Sequence, residues 1–90
     1  MNASTKTVIG AYTSEDVLTI PGPKRTATIR ILVTATSHWV QIQAGKMKWS
    51  VESDSTMALR KAKRCSENLW MLVACKDCDL ESRVDSIFHT

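Results

Sequence analysis

The sharpest constraint in this chain is a change of period at residues 53–56. Upstream, apolar side chains fall on alternate positions. Ile29, Ile31 and Val33 alternate with Thr28, Arg30, Leu32 and Thr34, and Val40, Ile42 and Ala44 alternate with Trp39, Gln41 and Gln43. Met47, Trp49 and Val51 repeat the pattern against Lys46, Lys48, Ser50 and Glu52. A period of two puts successive residues on opposite faces of a strand, so each run has one apolar and one polar face. Downstream, Ser53, Asp54, Ser55 and Thr56 offer several N-capping side chains, and the run MALRKAKRCSENLWMLVACK is rich in helix formers. At 100° per residue, Ala58, Ala62, Cys65, Leu69 and Leu72 share one stripe, while Arg60, Lys63, Arg64 and Glu67 face away from it.

Two further β-prone stretches, TVIGAY and DVLTI, are separated by Ser14, Glu15 and Asp16, which read as the turn of a hairpin. The Pro21-Gly22-Pro23 run fits neither a helix nor a central strand and marks the end of that hairpin. Turns at Thr36–Ser37 and at Gly45 join the remaining strands into a meander. The expected fold is therefore α+β. An antiparallel sheet, N-terminal hairpin plus three-stranded meander over residues 7–52, packs against one amphipathic helix over 54–76. Residues 79–90 follow as a tail with room for a short helical turn through Val84, Ile87 and Phe88. Ninety residues provide one core and one domain, 1–90, with little apolar material left for a deep pocket.

Hydrophobic content of 43% with 23% charged residues belongs to a folded chain and not a disordered one. No run approaches the ~18 apolar residues of a membrane span, and the N-terminus has no signal-peptide pattern. Three cysteines without an export signal fit a reducing compartment, so the expected location is cytoplasmic, the host cytoplasm if the chain is phage-encoded.

A net charge of +3 is mild, and its distribution carries more information than its sum. Arg60, Lys61, Lys63 and Arg64 form a basic cluster on the helix, suited to a nucleic-acid backbone or an acidic protein patch and otherwise simply solvated. If the apolar set of the meander faces the helix, Arg30, Trp39, Gln41, Gln43, Lys46 and Lys48 are forced to the outer face. Cations, amides and a large aromatic can contact phosphates, read base edges or stack on a base, and they equally resemble the centre of a protein interface. The bland alternative is a solvated face whose Trp39 is covered by the N-terminal hairpin.

Cys75 and Cys78 form a Cys-x-x-Cys pair, with Cys65 and His89 as the remaining zinc-ligand candidates. No second such pair exists, and Cys65 lies on the core stripe, where it packs as a small hydrophobe. No metal or other cofactor is expected. His38 and His89 are the only histidines, and no nucleophile elbow, phosphate-binding glycine loop or HExxH spacing occurs. A catalytic role is therefore not expected, and no small-molecule substrate is evident. Trp70 and Met71 lie off the core stripe and either meet the tail through Ile87 and Phe88, the favoured reading, or offer an apolar contact to a partner.

From Thr28 to Asn68 the order of three strands and a helix, with HWVQIQAGK leading through SVESDST into MALRKAKR, resembles the arm-binding domain of phage-type integrases and the plant AP2 fold. That resemblance implies DNA contact through Arg30, Trp39, Gln41, Lys46 and Lys48, although Val51-Glu52-Ser53 stands where those families carry a glycine and an aromatic. As a free-standing meander-plus-helix domain with two charged faces, the chain is also similar in type to the small anti-CRISPR proteins of phages. This second resemblance implies a large nucleoprotein partner, such as a CRISPR–Cas effector complex, bound through its protein subunits, with or without contact to its guide RNA. The expected function is thus a non-enzymatic, phage-type inhibitor docked on a nucleoprotein complex. A sheet-face DNA-binding module is the alternative, with a small zinc-stabilised interaction domain behind it. An unpaired edge strand would also allow two copies to associate as a homodimer.

Overall fold

The structure, a computed structural model, describes residues 8–90. The alternating stretches form four strands, β1 (Thr13–Ile20), β2 (Ala27–Val33), β3 (His38–Ala44) and β4 (Met47–Ser53). They lie side by side in chain order, each antiparallel to the next. Short connections permit only hairpins, and the tightest, Gly45-Lys46, uses a glycine at φ +62°. The fold is α+β, as the change of period requires.

The expected N-terminal hairpin is replaced by one edge strand. Ser14, Glu15 and Asp16, read as a turn, lie inside β1 opposite Leu32, Ile31 and Arg30. Pairing with β2 overrides their weak strand propensity. Asp16 accepts a hydrogen bond from Arg30 Nε at 2.9 Å, and a register shift between Asp16 and Leu18 takes up the irregularity. Of the TVIGAY stretch, Thr7 lies outside the described residues and positions 8–12 are not strand.

The single helix expected over 54–76 is also corrected. Helix α1 covers only Ala58–Ser66, a 3-10 turn follows at Leu69–Leu72, and a second at Asp77–Asp79 leads into α2 (Leu80–Phe88). The capping side chain among residues 53–56 is that of Asp54. Its Oδ1 accepts from the backbone N–H groups of Thr56 at 3.1 Å and Met57 at 2.8 Å. At the other end Ser66 Oγ donates back to the Ala62 carbonyl at 2.8 Å, a bond that bends helices, and Asn68 leaves helical geometry at φ −115°, ψ 8°.

What holds the break open is remote in sequence. The β1–β2 loop docks on the segment after the 3-10 turn, where Gly22 packs so close to Val73 that a Cβ on it would lie 2.2 Å from the Val73 Cβ. Lys24 N–H donates to the Val73 carbonyl at 3.2 Å. Arg25, its side chain 8% exposed, donates through Nη1 to the carbonyls of Leu72 and Cys75 and through Nη2 to Asp77. These carbonyls are left without helical partners by the break, and the guanidinium fork satisfies two of them.

All five residues of the expected helix stripe are buried, against Ile29, Val40 and Ile42 of the sheet. The tail contributes far more than a turn, because α2 buries Leu80, Val84, Ile87 and Phe88 in the same core. Met47, expected inside, is 54% exposed at the start of β4. Leu32 and Trp39 sit opposite each other on the outer face, yet each is only 6% exposed.

Candidate functional site

The outer sheet face brings Arg30, Gln41 and Gln43 together and engages them with one another. Arg30 sits on the middle of β2 because the register places Asp16 on one side of it and Gln41 on the other. Its Nη1 donates to Gln41 Oε1 at 3.0 Å and Gln43 Oε1 at 2.7 Å, while Nε is held by Asp16. The amide nitrogens are engaged too, Gln41 Nε2 with Ser50 Oγ and Gln43 Nε2 with the Gly45 carbonyl. Trp39 is buried and donates through Nε1 to Ser37 Oγ at 2.9 Å, so in this conformation it offers no open ring face for stacking. Lys46 and Lys48 remain exposed beside this network. The face is therefore a self-satisfied polar layer with a carboxylate beside its central cation, which weakens its pull on phosphate.

On α1 the four expected cations separate into two roles. Lys61 is half-buried, and its Nζ donates to the Phe88 carbonyl at 2.8 Å, so it caps the C-terminal end of α2. Arg60, Lys63 and Arg64 are exposed and have no hydrogen bond or ion pair with any described residue. With Thr56, Leu59 and Glu67 they line an open trough of about 420 Å³ along the outer side of the helix. Leu59, half exposed in that trough, stands four residues before Lys63, and this spacing, which puts the two on one face of the helix, is the sequence signal that marks it.

The cysteines do not converge. Cys65 is buried, and its thiol donates to the Ile87 carbonyl at 3.5 Å; burial pushes its pKa up, which disfavours the thiolate a metal needs. Cys75 Sγ accepts from Arg25 Nη1 at 3.4 Å, Cys78 is exposed, and His89 Nδ1 pairs within α2 with the Asp85 carbonyl at 2.8 Å. Among the described residues no three His, Cys, Asp or Glu side chains stand close enough to share a metal ion.

Two features escaped the sequence. His38 and His89, fifty-one positions apart, line one open groove of about 850 Å³ together with Ser37, Ser53, Asp54 and Lys61. Trp70 parts company with Met71: Met71 packs against the core and lines a depression on α2 with Arg83, whereas Trp70 stays 62% exposed. No described helix is long and apolar enough to cross a membrane. No family model matches the chain, and neither does any curated protein or any solved structure.

Proposed function

We propose that this chain is a non-enzymatic binding protein that docks on a nucleoprotein complex through the outer side of α1, in the manner expected of an anti-CRISPR-type inhibitor acting on a CRISPR–Cas effector. The observation that carries the reading is the set of Arg60, Lys63 and Arg64, exposed together without partners among the described residues. At spacings of three and four residues, like charges repel, each pair costing the helix about 0.2–0.5 kcal/mol. Arg25, Arg30 and Lys61, by contrast, are engaged internally. An anionic partner relieves the repulsion that the three outer cations retain, and the summed potential steers such a partner onto the trough.

The sheet-face DNA-binding module has less behind it, because its reading residues Arg30, Gln41 and Gln43 bond to one another and Trp39 is buried.

The test is affinity capture from a cell carrying the target complex, with the wild-type chain and with Arg60→Glu, Lys63→Glu, Arg64→Glu combined. The expected result is capture of a defined set of subunits together with their nucleic acid, lost in the charge-reversed variant. Tight binding of free duplex DNA without any protein complex would move the reading to the DNA-binding module.

A further inference from the structure

The outer row of α1 does not end with the helix. Buried residues recur at Ala58, Ala62, Cys65, Leu69 and Leu72, and this inner row passes unbroken from α1 into the 3-10 turn. The exposed positions Arg60, Lys63, Arg64 and Glu67 form an outer row on the side of α1 away from the core, and Trp70, next to buried Leu69 in the 3-10 turn, extends it on the flank beyond the end of the helix. At 1.5 Å per residue in α1 and about 2.0 Å beyond it, the row runs about 17 Å. It begins with cations and ends with an indole that is 62% exposed, whereas Trp39 and Trp49 are 6% and 9% exposed.

We infer that this row is a binding track for single-stranded nucleic acid, with Arg60, Lys63 and Arg64 neutralising phosphates and Trp70 stacking on a base. The inference rests on the docking reading above and names the component of the complex that α1 touches. A protein interface gathers its apolar area into a core ringed by polar side chains. Here the cations line a trough on α1 and the exposed ring lies beyond the end of that helix, which matches a ligand that carries phosphates and aromatic faces along one chain. A single strand can turn an unstacked base onto Trp70. A duplex keeps its bases stacked inside and has no face to give. Glu67, between the cations and Trp70, sets a limit on the pull, since a carboxylate there disfavours a phosphate at its own level and restricts the track to few contacts.

The experiment uses the full chain and homopolymer single strands of about 12 nucleotides, with a duplex of equal length as comparison. Tryptophan fluorescence is the readout, because Trp70 is the one tryptophan of the three that is open to a ligand. The expected result is quenching on adding single strand, with log affinity falling against log salt at a slope of no more than about 2 for three phosphates. Trp70→Ala should weaken binding about 5- to 150-fold and Trp70→Phe much less, with both variants melting at the wild-type temperature because the side chain is exposed. Absence of binding, equal or tighter binding to duplex, or binding indifferent to Trp70→Ala would overturn the inference. If single strand is not bound while capture of a complex still depends on Arg60, Lys63 and Arg64, the inference falls and the docking reading survives. Loss of both dependences removes both.

Discussion

Arg25 Nη1 stands 2.8 Å from the carbonyl oxygen of Leu72, a side chain of the β1–β2 loop closing over the end of a 3-10 turn 47 residues later. The same nitrogen reaches the Cys75 carbonyl at 3.0 Å. This contact joins the sheet hairpin to the segment that turns the chain from α1 into α2, and so positions both helices on the sheet. Arg25→Ala strips two carbonyls of a charged donor and should destabilise the fold by about 3 kcal/mol. The exposed Asp77 partner contributes little of this. Arg25→Lys should recover less than half, since a flexible, strongly hydrated ammonium replaces a planar guanidinium whose donors are held in place for these carbonyls. Urea unfolding with an unchanged slope checks both values.

Gly22 carries the other half of this clamp. An alanine there places its Cβ 2.2 Å from Val73 Cβ and 2.9 Å from the Val73 carbonyl oxygen. Gly22→Ala should cost about 1–3 kcal/mol through overpacking. Adding Val73→Ala should restore only part of it, because the carbonyl remains in the way. A double-mutant cycle with a clear favourable coupling is the expected result, and additivity would show that the two residues do not press on each other.

The four cations of α1 should divide sharply by assay. Lys61→Met removes the donor that caps α2 and should lower stability by about 1 kcal/mol. Arg60→Gln should be slightly stabilising, by about 0.2–0.5 kcal/mol, as repulsion is relieved, and Lys63→Gln near neutral, because it also gives up the favourable spacing of four to Glu67. Raising the salt concentration should shrink the second effect by screening. Thermal melts of the three variants at low and high salt decide the matter. Equal effects at all three positions would contradict the division of roles.

Stability should fall at both ends of the pH range for separate reasons. Asp54 is held below its ordinary value of 3.8, first by the Thr56 hydroxyl and then by the Met57 N–H. A depressed folded pKa adds stability above the unfolded value, and that contribution is lost as pH drops through the folded one. Asp54→Ala should lack this component of the acid limb. Cys65 is raised above 9.0 by burial. Its contribution is complete below 9.0 and is lost as pH climbs through the raised value, a loss that Cys65→Ala should remove from the alkaline limb. Thiol alkylation at neutral pH should run Cys78 first, Cys75 next and Cys65 last, as read by mass spectrometry.

By itself the sequence determined the elements whose signal is local. Period-two alternation specified β2, β3 and β4, and a five-residue apolar stripe specified which side of α1 meets the sheet. The same stripe placed Arg60, Lys63 and Arg64 outward. Tertiary structure decided everything that depends on partners distant in the chain. Ser14, Glu15 and Asp16 read as a turn until Arg30 and the β2 edge lie beside them. The helix formers after Ser66 read as continuous helix until Arg25 and Gly22, some fifty positions earlier, take hold of the chain between Leu72 and Asp77. Lys61 is indistinguishable from its basic neighbours until the Phe88 carbonyl comes within reach. Trp39 and Trp70 exchange their expected prominence for the same reason. Periodicity assigns a residue to a side of its own element, but whether that side is covered depends on what the rest of the fold brings to it.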